Sequence, residues 1–253
     1  MKLSTVFSAF LVCTPVALAL GIMAPPAVAQ AADGGSVLAK LDKDASAFAD
    51  ISYISTMEIW KNGSKKKTLQ FDMVMKGLDK QYINFTAPGD VAGMKILMVG
   101  ESLWMFSPEF QKVRMVAAHA QSQGFLGSEF TPEDMKMTGL RAHFDADISG
   151  SSGNETTLTL TPKAEFPSSW SKLELTIDKT KGGVTRIKYF DGSGTAVREQ
   201  VRSGWSKVEG KAFPTKISMK NLKTGAETKI QLSDIRVNTG VEDALFSKRT
   251  LLR

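Results

Sequence analysis

The sequence predicts a mainly β (α+β) protein in which a single antiparallel sheet curls on itself under a few covering helices. Three observations carry this expectation. From Ile51 onward apolar residues recur with period two in short runs, the pattern of strands with one buried face. The runs are joined by turn formers, among them Asn62-Gly63, Lys181-Gly182-Gly183 and Asp191-Gly192-Ser193-Gly194, which make hairpins and not crossovers. Helical periodicity surfaces in only a few places, so about a dozen strands in hairpin succession must cover one another.

Met1 to Ala29 reads as a secretory signal peptide. Lys2 gives a positive start, Phe7 to Ala24 is largely apolar, and Ala27-Val28-Ala29 has the small-x-small form of a cleavage site. The mature chain is expected to begin at Gln30, with residues 30–253 forming one domain. An uncleaved anchor is the alternative, against which Pro15, Pro25, Pro26 and the cleavage motif argue. Lipidation at Cys13 is disfavoured by the bulky Val12 before it. Cys13 is the only cysteine, so cleavage leaves no disulfide, thiol nucleophile or cysteine metal cluster. About 220 residues suffice for a core to hold the fold alone. Losing Lys2 takes the formal charge from +6 to +5. The charge is spread along the chain without the clustered Arg, Lys and aromatics of a nucleic-acid surface, and no nucleic acid is expected.

In chain order, Ser36 is a candidate cap for a helix whose apolar stripe is Leu38, Leu41, Ala45 and Phe48. Ile51, Tyr53, Met57 and Ile59 share one face of the next strand. Asn62-Gly63 turns it, and Leu69, Phe71, Met73 and Met75 answer in phase. Lys80 to Thr86 is a third strand. Beyond Pro88-Gly89 come Met94 to Val99, Ser102 to Phe106 and Gln111 to Val116. There Leu103 and Met105 fall on one face and Trp104 and Phe106 on the other, so both faces need a cover. Thr131-Pro132-Glu133-Asp134 is expected to open a short helix, with Thr131 at the N-cap, Phe130 able to staple onto Met135, and Gly139 at the end. Strands then follow at 141–148, 156–161, 172–178, 185–190, 195–202, 216–222 and 227–237, with no repeat and no linker.

Catalytic patterns are missing. The two histidines, His119 and His143, stand in no metal spacing and beside no nucleophile. G-x-S-x-G, the phosphate-cradling P-loop and the dinucleotide glycine pattern are absent. Glu133 and Asp134 are explained by the dipole of the helix they open, and Glu58 and Asp72 by cross-strand solvation. A non-enzymatic protein without cofactor or metal is expected.

The methionines are more informative. Met57, Met73, Met75, Met94, Met98, Met105, Met115, Met135 and Met137, out of 12 in the chain, fall in one stretch of about eighty residues. Unbranched, polarizable side chains line surfaces that adapt to several shapes, although they also serve as core fillers. Gly124 to Gly127 offers a glycine-hinged cover beside them. Exposing an acyl chain costs roughly 0.8 kcal/mol per CH₂, so about a dozen methylenes cost about 10 kcal/mol, and only a deep apolar cavity recovers that.

These residues carry a resemblance. Phe85-x-x-Pro88-x-Asp90-Val91-Ala92-Gly93, Leu103-Trp104-Met105-Phe106-Ser107-Pro108, Lys112-Val113-Arg114 and Phe125-Leu126-Gly127-Ser128-Glu129-Phe130 resemble the bacterial outer-membrane lipoprotein-sorting proteins with a LolA-like domain. Tyr189-Phe190-Asp191, Asp234 to Asn238 and Phe246-Ser247 extend it over nearly all of the mature chain. Met94 and Phe190 depart from the commoner pattern, and no residue is carried over as the family's lid-latching arginine. The resemblance implies an incomplete barrel closed by helices, located in the periplasm, that carries lipid or lipoprotein acyl chains. An inner-membrane exporter and an outer-membrane acceptor are the partners it implies.

The expected lipid-binding wall is Met57, Ile59, Phe71, Met73, Met75, Ile96, Leu103, Met105, Met115, Phe125 and Leu126. A monomer is expected, with a weak membrane-surface contact through Lys61, Lys65, Lys66 and Lys67 at the first hairpin tip. Two alternatives use the same scaffold: an envelope interaction or sensor module with a packed interior, and an accessory protein of a lipid exporter.

Overall fold

The structure, a computed structural model, describes residues 33–117, 124–136 and 139–253. The expected signal peptide, Gln30, His119 and Met137 lie outside these residues.

Helix α1 (Gly34–Ala45) is capped by Asp33, whose Oδ1 accepts the Ser36 amide at 2.7 Å. The cap thus lies three residues before the expected Ser36, which instead supplies the third amide of the helix for a carboxylate to hold. Leu38 on its apolar stripe is fully buried.

Thirteen strands form one sheet. They are β1 (Asp50–Lys61), β2 (Ser64–Lys76), β3 (Lys80–Ala87), β4 (Lys95–Val99), β5 (Ser102–Ser107), β6 (Lys112–Met115), β7 (Phe144–Ser152), β8 (Glu155–Pro162), β9 (Lys172–Asp178), β10 (Gly183–Phe190), β11 (Ala196–Val208), β12 (Lys211–Asn221) and β13 (Glu227–Val237). Their order is β6-β5-β4-β3-β2-β1-β13-β12-β11-β10-β9-β8-β7, with each pair antiparallel. Pairing of the first strand with the last joins two meanders, and β6 and β7 remain as edges. The sheet is therefore an unclosed antiparallel barrel, as expected. The β1–β2 turn has Asn62 and Gly63 at φ 52° and 70°, the two left-handed residues of a type I′ turn.

Several elements differ from expectation, among them β7, which runs to Ser152, four residues past its expected end. Arg141 belongs to a helical turn, α2 (Leu140–His143), because the Asp42 carboxylate accepts the amides of Leu140 and Arg141 at 2.9 and 2.8 Å; β7 starts after it. The segment Pro132–Lys136 is a 3-10 helix. Strands β11 and β12 continue as a ribbon, pairing Trp205 with Pro214 and Val208 with Lys211.

The apolar side chains collect in three clusters. One lies between α1 and β7–β10, around Leu158, Leu160, Leu173, Leu175 and Tyr189. A second faces the interior of β1–β5, around Met57, Phe71, Phe85, Ile96 and Leu103. The third is on the opposite face of those strands, where Leu97 and Phe106 meet Phe246 and Leu251, with Trp104 packed alongside. The two-faced strands therefore have their outer cover in the C-terminal segment, a 3-10 turn (Asp243–Phe246) followed by α3 (Lys248–Leu251). Asp50 anchors that segment by accepting the amides of Thr239, Gly240 and Val241 at 2.8, 2.9 and 3.1 Å. No described helix is long and apolar enough to cross a membrane.

Candidate functional site

The inner face of β1–β5 is built in cross-strand rows. Register aligns Tyr53, Met73, Ile83, Ile96 and Met105. A second row runs through Met57, Ile230, Ile217 and Arg202. Between these rows and the segment from Gly124 to Asp134 lies a cavity of about 480 Å³, within the size range of small-molecule and cofactor sites.

Nine of the expected wall residues line it: Met57, Phe71, Met73, Met75, Ile96, Leu103, Met105, Phe125 and Leu126. Ile59 does not; it is 3% exposed and packs in the adjoining core. Met115 is also elsewhere, 65% exposed. It pairs with Trp104 on the outer side of the sheet, and strand alternation gives the inward position to its neighbour Val116.

The covering segment is tied down at several points. Phe125 stands 5.7 Å from Phe85, which stands 5.1 Å from Phe71. The Glu129 amide donates to Thr228 Oγ1 at 2.9 Å, and Asn221 Nδ2 donates to Glu129 Oε2 at 3.1 Å. A Cβ on Gly124 would come within 2.3 Å of the Ser128 carbonyl oxygen, so close packing alone requires glycine there. At the far end Asp134 Oδ2 accepts from the Thr131 amide and hydroxyl at 2.6 and 3.0 Å. The cap is thus the reverse of the expected one: the acid reaches back, and Thr131 donates. The same oxygen accepts from Arg198 Nη2 at 2.7 Å, with both side chains under a tenth exposed. Burial works against the Arg198 charge, but Asp134, together with Tyr189 and Glu129, raises the guanidinium above its ordinary value. Arg198 also faces the rings of Tyr189 and Trp170 at 4.8 and 5.0 Å. Glu133 is likewise structural, accepting from the Ser168 hydroxyl and Ser169 amide.

The polar lining was missed by sequence reasoning. It includes Tyr53, Gln81, Thr131, Asp134, Gln200 and Arg202. Arg198, Gln200 and Arg202 alternate along β11, which on sequence reads as a solvent face. Only their register against the apolar row of β12 and β13 reveals that Arg202 points inward.

Elsewhere, His143 stacks on Phe166 at 4.2 Å and lies 3.6 Å from Glu101. At the first hairpin tip Lys65 pairs with Glu58 and Lys67 with Asp90, at 3.0 and 2.7 Å. No group of His, Cys, Asp and Glu among the described residues is arranged to hold a metal ion.

Comparison with known proteins places this geometry in a family. Among solved structures, the chain is similar to a DUF1329 family protein from Desulfovibrio piger, with TM-score 0.81, 23% identity, and coverage of 86% of this chain and 97% of that one. A domain assigned to outer membrane lipoprotein sorting from Vibrio parahaemolyticus follows at TM-score 0.76 and 20% identity, covering 87% and 98%. A LolA superfamily protein from Nitrosomonas europaea gives 0.73 and 19%, covering 87% and 100%. No curated protein matches the chain. A family model described as "-like: Uncharacterized protein" matches residues 77–253. The chain belongs to that family, and its fold is LolA-like.

Proposed function

We propose that this protein is a periplasmic carrier that holds the acyl chains of lipids or lipoproteins in its cavity and ferries them toward the outer membrane. The observation that carries this reading is the cavity of about 480 Å³ walled by Met57, Met73, Met75 and Met105 together with Phe71, Ile96 and Leu103. Adaptable side chains around a half-open apolar cavity suit chains that differ in length and kink. The LolA-like fold supports the same reading, because two of its structural relatives carry lipoprotein-sorting or LolA names. An interaction module would have a packed interior, and the cavity therefore favours a carrier. An inner-membrane donor and an outer-membrane acceptor would complete the route.

Uptake of a fluorescent fatty acid tests the proposal. Phe71 is 5% exposed, lies against Phe85 and lines the cavity. Phe71→Asp is expected to abolish uptake, because a carboxylate in the apolar wall is costly, while the far-ultraviolet spectrum stays that of the sheet. Uptake unchanged in a folded Phe71→Asp variant, or no uptake by the unaltered protein, would refute the carrier.

A further inference from the structure

Among the polar residues of the wall, Tyr53, Gln200 and Arg202 form a group that contains a cation but no carboxylate. Arg202 Nε donates to Gln200 Oε1 at 2.9 Å, which orients the guanidinium and turns the Gln200 amide NH₂ away from it. No carboxylate among the described residues pairs with Arg202, whereas Arg198 beside it takes Asp134. Tyr53 completes the group: its hydroxyl donates to the Met73 sulfur at 3.1 Å, with the Met75 sulfur 3.8 Å away, weak acceptors that an oxyanion would displace. Arg202, Gln200 and Tyr53 all line the cavity. The charge balance agrees, since Asp134 is neutralised by Arg198 and Arg202 remains as one uncompensated cation.

An unpaired guanidinium facing an apolar cavity is costly unless its ligand brings the counter-charge. We infer that the cavity takes an acyl chain bearing an anionic oxygen head group, a carboxylate or a phosphate, which docks on Arg202 with Gln200 and Tyr53 as additional donors. The planar fork of arginine suits either oxyanion bidentately. The inference rests on the carrier reading and narrows it: a neutral acyl ester would leave Arg202 unpaired. Burial lowers the Arg202 guanidinium below its ordinary value, with Tyr189 and Tyr53 opposing, as expected of a cation awaiting a partner.

The test compares a fluorescent polyene fatty acid with its methyl ester on the whole purified protein, Arg202→Met and Arg202→Lys, each checked for native circular dichroism. The unaltered protein is expected to prefer the acid. Arg202→Met should weaken the acid about tenfold to a hundredfold, the scale of a lost charged hydrogen bond, and leave the ester unchanged. Arg202→Lys should recover part of the loss. Competition by a monoacyl phosphate then assigns the head group: displacement that depends on Arg202 marks a general oxyanion site, and its absence a carboxylate site. Equal binding of acid and ester by the unaltered protein, or parallel loss of both in Arg202→Met, overturns the inference while the carrier stands. Binding of neither probe by the unaltered protein overturns both.

Discussion

Removing the Asp134 carboxylate tests how the covering segment is held. Asp134→Ala deletes the acceptor for the Thr131 amide, the Thr131 hydroxyl and Arg198 Nη2, and leaves a guanidinium almost without solvent access. Breaking a buried pair from one side costs about 3–5 kcal/mol, mostly from the charge left behind. At about 2–4 °C per kcal/mol for a chain of this size, the melting temperature should fall by roughly 6–20 °C. Pairing the change with Arg198→Met removes the stranded charge and keeps an apolar stem against Trp170 and Tyr189. Urea denaturation of the single and double variants measures the coupling. The double variant should be less destabilised than the sum of the singles by about 2 kcal/mol. Single-variant costs that add to within about 0.5 kcal/mol would show that the two residues do not act as a pair.

Three further outcomes are expected. Gly34→Ala would bring a Cβ within 2.2 Å of the Ala146 carbonyl oxygen, so thermal melting should reveal a loss of about 1–3 kcal/mol; an unchanged melting temperature would show that α1 is not pinned to β7. At Asp50 burial alone would raise the carboxyl, but the Thr239 amide and hydroxyl and the amides of Val241 and Gly240 outweigh it and hold it below its ordinary value. Its stabilisation is therefore present at neutral pH and lost as pH falls below about 4 through the depressed folded value. Asp50→Asn should flatten that part of the stability profile between about pH 5 and 2, and a profile identical to the unaltered protein's would discount the anchor. At the first hairpin tip, Lys65 and Lys67 already have acid partners, leaving Lys61 and Lys66 for an anionic surface. At about 1 kcal/mol per lysine, Lys61→Gln with Lys66→Gln should weaken co-sedimentation with anionic vesicles more than the same change at Lys65 and Lys67; binding indifferent to both pairs and to salt would exclude docking there.

The strands were legible wherever one face is apolar and the other polar. Leu69 to Met75 and Lys172 to Asp178 announce themselves by alternation, and Asn62-Gly63 marks the turn, but the register it sets slips by one residue at Ile59/Trp60, which brings Met57 opposite Leu69. The polar ends of β11 and β12 were not legible: Ser203 to Val208 and Lys211 to Thr215 are exposed or half-buried on both faces, and no hydrophobic period marks them. α2 was hidden for another reason, because its cap comes from Asp42, about a hundred residues earlier in the chain.

In the cavity, apolar lining residues could be read from phase within a strand. Met115 was misplaced by one residue, because β6 is short and only its pairing with Trp104 sets its phase. Arg202 was invisible because a strand's inward polar face and outward polar face have the same sequence pattern. The need for two covers around Trp104 was legible, but not that the C-terminal segment supplies the outer one.

The most direct measurement is lipid extraction and mass spectrometry of the protein purified from the envelope of its source cells without detergent. Acyl-chain lipid is expected near one equivalent per protein, sharply reduced in Phe71→Asp. Lipid-free protein, or an equal trace in both, would contradict the carrier reading.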